Sequence, residues 1–217
     1  MKQLQKLWDQ FRMVILFFRL VKNPKRTDLI FRGVEIVSKD PDQPTIKEIQ
    51  KRVLQNSIFK SMYQSSYVPD SPSLDVLKSL QADSFGYAVY QHMQTNGLNF
   101  ELFPRLDPEK FMNYTSTRIY QDHDLWHVLL GYGVTIEDEL ALQAFGVAQF
   151  HSPIGTLLIA GGLLHLLAKN PTQAVQAFQK IVDGYNRGRK ATFLLSQRLH
   201  DLFSLPLIEV QQRCGIV

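Results

Sequence analysis

The chain has 217 residues, 45% of them hydrophobic and 20% charged, so it is long enough to bury a sizeable core. Its one cysteine, Cys214, excludes a disulfide framework, argues against thiolate metal ligands and favours a reducing compartment. The net charge of +4 is uneven, because residues 1–26 hold seven basic side chains and one acidic one, whereas the other residues hold 17 and 19. A positive field confined to one segment argues against nucleic-acid binding.

Residues 3–21 predict a basic amphipathic helix. Two compatible interpretations stay open: its apolar stripe packs on the core, or the helix lies on an anionic membrane surface. The apolar run 13–18 is too short to span a bilayer, which needs about 20 residues. We therefore separate an N-terminal helix (1–26) from a domain (27–217), and expect a cytoplasmic protein, peripheral on the inner membrane face. The stripe consists of Leu4, Leu7, Trp8, Phe11, Ile15 and Phe18.

Helical patterns fill the rest of the chain, and no alternating run indicates a sheet. The predicted fold is all-α: a single-domain helical bundle that contains a metal-binding helical hairpin. A polar loop is expected at 61–73. Helices are expected at 28–38, 45–55, 73–81, 84–95, up to 130, 136–150, 153–168 and 171–184, with one or two short ones at 191–214.

The strongest functional pattern lies in 121–140, QDHDLWHVLLGYGVTIEDEL. His123 and His127 are four residues apart, so a helix places both imidazoles on one face. Asp124 lies between them and can lean toward the same point. Imidazoles and carboxylates that converge in this way are typical ligands of a divalent metal.

The helix that carries these residues is expected to turn back on itself. Gly131-Tyr132-Gly133 predicts a helix end and a turn, and Thr135 with Asp138 predicts the N-cap of the returning helix. Glu139 would then lie about one turn into the second helix, opposite the histidines. We expect it to be the fourth ligand.

A simpler interpretation is a hydrogen-bonded His–Asp pair that caps the hairpin. The apolar neighbours favour the metal, because buried histidines and acids need partners. These neighbours are Leu125, Trp126, Val128, Leu129 and Leu130.

The pattern H-D-x-x-H, followed eleven residues later by Glu139, resembles the signature of the fourth coenzyme Q biosynthesis protein family. Thr117-Arg118 and Leu129-Leu130-Gly131 add to the resemblance, whose specific part covers about 115–150. It implies a bound divalent metal, zinc ahead of magnesium, iron or manganese, and a cavity for a polyprenyl tail. It also implies work on the head group of a quinone precursor, as a scaffold or in removing the ring carboxylate with oxidation at that carbon.

The resemblance makes the segment 153–168, which has no charge, a candidate wall of a lipid cavity. An all-round apolar helix is expected to be buried, as a central core helix. In a second, more specific hypothesis, a notch at Gly161 and Gly162 leaves room for a hydrocarbon chain. Trp126 and Leu130, next to the metal ligands, are further candidates for the cavity lining.

A basic run follows the helix predicted at 171–184. Its cations Arg187, Arg189 and Lys190, interleaved with glycines, could bind a phosphate or carboxylate. The alternative, which the composition favours, is a solvated surface turn.

Three functions follow from these patterns. The first is a quinone-biosynthesis protein that binds metal and a polyprenyl lipid or quinone precursor, with other quinone-biosynthesis proteins as partners and self-association into a homo-oligomer allowed. The second is a metal-dependent phosphohydrolase, in which His92 and Asp183 would join His123-Asp124 and leave His127 and Glu139 without a ligand role. The third is a non-catalytic lipid-binding adaptor. We lean toward an enzyme, a metal-dependent decarboxylase or hydroxylase of the quinone head group.

Overall fold

The computed structural model describes residues 2–23, 26–38, 44–100 and 109–217. The all-α prediction is confirmed, because these residues form eleven α-helices and no strand. The helices are α1 Lys2–Lys22, α2 Thr27–Ser38, α3 Pro44–Leu54, α4 Ser57–Gln64, α5 Leu74–Lys78, α6 Phe85–Asn96, α7 Phe111–Leu130, α8 Ile136–Phe150, α9 Pro153–Lys169, α10 Pro171–Lys190 and α11 Leu207–Arg213. Two short 3-10 helices, Leu194–Ser196 and Leu199–Leu202, precede α11. Within the described ranges, no helix combines the length and the apolar character that a bilayer crossing requires.

Two boundaries differ from the predictions. The polar loop expected at 61–73 starts later, because Asn56 caps α4 through a 3.0 Å bond from the Phe59 N–H, and the helix continues to Gln64. The surface turn expected after residue 184 is wrong, because α10 runs on to Lys190. Gly184 and Gly188 serve helix packing there, not a turn.

The chain divides into two compact units. The first comprises 1–49 and 135–189, and the second comprises 50–134 and 190–217. In the first unit, α1 packs on α2 and α9, and α8 packs on α9. One part of its core joins α1 to α2 and α9 through Leu16, Leu20, Leu29 and Leu158. A second part joins α8, α9 and α10 through Leu140, Leu166, Ala174 and Ala177.

The predicted apolar stripe of α1 is exposed. Trp8, Phe11 and Phe18 are 58%, 55% and 64% accessible, and Leu7 and Ile15 are exposed with them. Leu16 and Leu20 supply the buried side instead. The interpretation in which this stripe packs on the core is therefore wrong for these five side chains. Helix α1 has two apolar sides, and the side with Leu16 and Leu20 is the buried one.

Helix α9 is not buried all round as expected, because Leu164 and Leu167 are 46% and 56% accessible. Its glycines face neighbouring helices. A Cβ at Gly162 would lie 2.6 Å from the Leu140 side chain, and one at Gly161 would lie 3.5 Å from Phe17. The space at this notch is thus taken by α1 and α8 and is not left open for a ligand.

Helix α10 approaches α8 closely through two glycines. A Cβ at Gly188 would lie 2.6 Å from the carbonyl oxygen of Phe145, and one at Gly184 would clash with the carbonyl of Ala141. Gln149 on α8 also donates a 2.7 Å hydrogen bond to the Gly188 carbonyl. The two backbones therefore pack directly on each other.

The second unit is built around α7. Helix α6 packs on α5 and α7, α11 packs on α6 and α7, and the 3-10 helix Leu194–Ser196 contacts α4 and α7. Aromatic side chains fill its core, with Phe59 in edge contact with both Tyr114 and Phe193. Ser73 and Ser84 cap α5 and α6 as N-cap residues, which confirms helices near both predicted positions.

Candidate metal centre

The last turns of α7 carry the predicted ligands, and the end of this helix follows from its sequence. Gly131 adopts the left-handed conformation with φ 69°, which a glycine enters without steric cost. The Tyr132 N–H then donates to the His127 carbonyl at 3.0 Å, which closes the helix as in a Schellman motif. The predicted helix end is confirmed.

His123, Asp124 and His127 come together as predicted. One potential ligand atom from each side chain lies within 4.8 Å of the others. The two imidazole rings meet edge to face with centroids 4.9 Å apart. The side chains of His123 and Asp124 are 22% and 13% exposed, and His127 is 1% exposed, so the group lies just beneath the surface.

A backbone carbonyl orients His127. Its Nδ1 lies 3.3 Å from the Tyr132 oxygen, so the tautomer that fits this acceptor carries the proton on Nδ1. Nε2 is then the atom suited to a metal, and a second partner on the far nitrogen is the usual arrangement of metal-binding histidines.

The Asp124 carboxyl is held in its charged form. Burial acts to raise its pKa, but the hydrogen bond from His123, together with the electrostatic interactions with the His123, His127 and His92 rings, outweighs burial. The pKa therefore lies below its ordinary value. His123 Nδ1 and Asp124 Oδ1 are 3.2 Å apart. A charged carboxylate beside two imidazoles is a suitable donor set for a divalent cation.

The geometry of the three side chains fits a metal ion. Nitrogen and oxygen ligands lie about 2.0–2.2 Å from zinc, so two ligands of one ion are at most about 4.4 Å apart. The three donor atoms of this group all lie within 4.8 Å of one another, which is close to that spacing. The His123-Asp124-His127 group could hold a metal ion, and three protein ligands would leave a coordination position for a substrate.

Glu139 lies in the first turn of α8, which belongs to the first unit, whereas the three clustered side chains belong to the second. Its assignment as the fourth ligand stays a prediction. The start of α8 is confirmed, because the Thr135 hydroxyl accepts from the Asp138 N–H at 3.3 Å and donates to Asp138 Oδ2 at 2.8 Å.

His92 of α6 also belongs to this neighbourhood. Its ring stacks on His127 with centroids 5.3 Å apart and planes 20° apart. The sequence predicts a metal-ligand role for His92 only in the phosphohydrolase alternative. Its position against His127 arises from the packing of α6 on α7, for which the sequence carries no local signal.

The predicted lipid and anion residues are spread over several elements. Trp126 and Leu130 are buried in α7. Arg187 lies 3.9 Å from Asp183 one turn earlier on α10, and Arg189 and Lys190 are exposed near the end of the same helix. Their roles in binding a lipid or an anion stay predictions.

The first unit contains an apolar groove that the sequence did not indicate. It has a volume of about 240 Å³ and lies between α8, α9 and α10. The polar groups of its lining are the Asn186 amide and the Tyr185 hydroxyl. The lining residues are Ala144, Val147, Ile159, Phe178, Ile181, Val182, Tyr185 and Asn186.

Comparison with known proteins gives one consistent result. The sequence model of the family described as "Coenzyme Q (ubiquinone) biosynthesis protein Coq4" matches residues 4–217. The "Ubiquinone biosynthesis protein COQ4 homolog 2, mitochondrial" of Paramecium tetraurelia is 24% identical over 155 residues, which cover 70% of this chain and 73% of that protein. The "Ubiquinone biosynthesis protein COQ4, mitochondrial" of Zygosaccharomyces rouxii is 29% identical over 159 residues, which cover 70% of this chain and 46% of that protein.

A solved structure shares the fold. A crystal structure from Nostoc punctiforme, of a protein provisionally described as a ubiquinone biosynthesis protein, superposes with a TM-score of 0.81. The similarity covers 95% of this chain and 98% of that one, at 20% sequence identity.

Proposed function

The chain belongs to the Coq4 family of coenzyme Q (ubiquinone) biosynthesis proteins, and from this premise we propose that it acts in the biosynthesis of a ubiquinone-type isoprenoid quinone. The observation that carries the proposal is the cluster His123, Asp124 and His127, because it offers a metal site within this family's fold. Other quinone-biosynthesis proteins are its expected partners.

The proposed chemistry takes place at the head group of a prenylated ring acid. A bound divalent ion, with zinc as the first candidate, supplies Lewis-acid polarisation of the ring carboxylate or phenol. The Tyr132 carbonyl keeps the His127 imidazole in one orientation, and the charged Asp124 carboxyl balances the positive charge of the site. The reaction proposed releases the ring carboxylate as CO2 and places a hydroxyl group from water on that ring carbon, with dioxygen or a partner protein accepting the two electrons.

Lipid binding needs an apolar site, and within the first unit the groove between α8, α9 and α10 is our candidate for it. Phe178, Ile181 and Val182 line this groove, which suits a hydrocarbon chain. The notch at Gly161 and Gly162 cannot hold the lipid, because Phe17 and Leu140 fill it.

We place the chain on an anionic membrane surface, at the cytoplasmic side, through α1. This helix exposes Trp8, Phe11 and Phe18 between basic side chains such as Arg12 and Arg19. An exposed apolar stripe with cationic flanks is the pattern of a helix that lies in the lipid headgroup region. Such a position would give access to a substrate dissolved in the membrane.

The phosphohydrolase alternative fits the structure less well. The phosphohydrolase hypothesis leaves His127 without a ligand role, but His127 belongs to the cluster and its ring contacts both His123 and His92. Family membership also favours the quinone role. The adaptor hypothesis differs from the enzyme hypothesis in one expectation: an adaptor would keep its function without the metal ligands, whereas the enzyme would lose it.

Quinone formation in cells tests the proposal. In a host that lacks the corresponding gene, we expect the wild-type chain to restore the quinone and His127→Ala to fail, as measured by mass spectrometry of a lipid extract. His165→Ala is the matched control, because the Nδ1 of this histidine lies 2.7 Å from the Val21 carbonyl oxygen and His165 is not one of the three clustered side chains. Full activity of His127→Ala would indicate an adaptor, and no restoration by the wild-type chain would contradict the proposed role.

A further inference from the structure

Three charged or ionisable side chains are buried together in the second unit. Arg118 and Asp122 of α7 are both inaccessible, and Arg118 donates from its terminal nitrogen to Asp122 Oδ2 at 2.8 Å. The side chain of His200, in the 3-10 helix Leu199–Leu202, is 4% exposed and places Nε2 3.4 Å from Asp122 Oδ1. We refer to Arg118, Asp122 and His200 as the buried cluster.

Two further contacts tie the buried cluster to its surroundings. Arg118 also donates to the Gln197 carbonyl at 3.4 Å, and its guanidinium lies 5.3 Å from the centre of the Tyr67 ring. Gln197 and His200 both belong to the segment just before α11, whereas Arg118 and Asp122 belong to α7. The cluster therefore links α7 to a part of the chain some 80 residues away in sequence.

Burying the Arg118–Asp122 pair costs free energy, because both charges lose their hydration. Their mutual attraction offsets this cost only if the geometry of the pair is well defined. Apolar side chains would fill the same volume without this loss. A buried ion pair of this kind can instead select one packing arrangement among several.

The position of the buried cluster on α7 indicates that it selects one rotation of this helix about its axis. Arg118 and Asp122 are four residues apart and share one side of the helix, while His123 and His127 share a side about 100° further around. Asp122 directly precedes His123. A rotation of α7 that moved the two histidines would therefore also break the contacts of Asp122 with Arg118 and His200.

We propose that Arg118, Asp122 and His200 are positioning residues, which fix the rotation of α7 about its axis and so hold His123, Asp124 and His127 toward one point. This inference rests on the proposed metal centre. The three side chains would act through the α7 backbone and are not themselves proposed as metal ligands.

Cobalt binding to the full-length chain tests this role, with Co²⁺ alone as the probe. In the double variant Arg118→Met/Asp122→Leu, apolar side chains of similar length replace both charges, and such replacements are often tolerated in folding. We expect it to bind Co²⁺ about 10–100-fold more weakly than the wild-type chain, which is the usual loss when residues that support metal ligands are mutated. We also expect its visible spectrum to change. His200→Gln retains the Arg118–Asp122 pair and is expected to change in the same direction by about 10-fold.

Leu199→Ala is the matched control. Leu199 is fully buried in the same 3-10 helix, so its truncation loosens the packing there but leaves the buried cluster in place. We expect it to keep the wild-type cobalt spectrum. If Arg118→Met/Asp122→Leu does not fold, His200→Gln alone decides the question.

The outcomes separate the two proposals. Wild-type affinity and an unchanged spectrum in the folded variants would overturn the positioning role and leave the metal centre intact. A wild-type chain that binds no Co²⁺ would overturn the metal centre and the positioning role together.

Discussion

At the scale of single residues, Thr135 and Asp138 form the N-cap of α8, and Asp138 also takes part in an ion pair with α10. The Thr135 hydroxyl accepts the Asp138 N–H and donates to the Asp138 carboxylate. The other oxygen of this carboxylate accepts from Lys180 Nζ at 2.6 Å. An N-cap and an ion pair are thus joined in one small network between α8 and α10.

Removal of this cap has a predictable cost. Thr135→Ala should lower the free energy of unfolding by about 0.5–2 kcal/mol, because the Asp138 N–H loses its acceptor. Urea denaturation followed by circular dichroism measures the change. The control is Thr156→Ala, in which an exposed hydroxyl that donates to the Ser152 carbonyl is lost and the change should stay within about 0.5 kcal/mol. Equal losses in the two variants would show that the cap does not contribute.

At the scale of elements, the contact of α8 with α10 depends on glycine. A side chain at position 184 would meet the Ala141 backbone, which cannot move away as a flexible side chain could. Gly184→Ala should therefore destabilise the chain by about 1–3 kcal/mol, although alanine is the better helix former.

The control for this prediction is another helical glycine. A Cβ at Gly33 of α2 would lie 3.5 Å from the nearest atom, Cδ1 of Ile154, which is an ordinary contact. Gly33→Ala should therefore leave stability unchanged or raise it by up to about 1 kcal/mol. Both values come from the same denaturation experiment, and a Gly184→Ala variant as stable as Gly33→Ala would contradict the close packing of α8 and α10.

The exposed stripe of α1 gives a second prediction for an element. Phe11→Glu should weaken binding to vesicles of anionic phospholipid by at least about tenfold, because a phenyl ring loses its burial and a negative charge is added. Co-sedimentation at low salt measures the effect. Ile208→Glu, at a 54% exposed position on α11, is the control and should bind as the wild-type chain does. Equal binding of the two variants would remove α1 from the proposed membrane contact.

At the scale of the whole molecule, the features that the sequence predicted are those that follow from short stretches. Gly131 and Thr135 mark a helix end and a helix start through their own backbone and side-chain chemistry, and the structure has both. The spacing of His123, Asp124 and His127 within one helix likewise brought them together without knowledge of any other element.

The features that could not be predicted depend on which helices pack together. The stripe of α1 has the spacing of a core-facing stripe, but a second apolar side containing Leu16 and Leu20 is the buried one. The contact of His92 with His127 and that of His200 with Asp122 each join residues from separate elements. The groove between α8, α9 and α10 has no counterpart in any short segment of sequence.

Metal content is the most direct test of the central claim, that α7 holds one divalent ion between two imidazoles and a carboxylate. Elemental analysis of the purified wild-type chain should find about one divalent ion per chain, and His165→Ala should match it. His127→Ala should lose most of the ion, since one of its three clustered ligands is gone. Equal metal in His127→Ala and the wild-type chain, or no metal in either, would contradict the account.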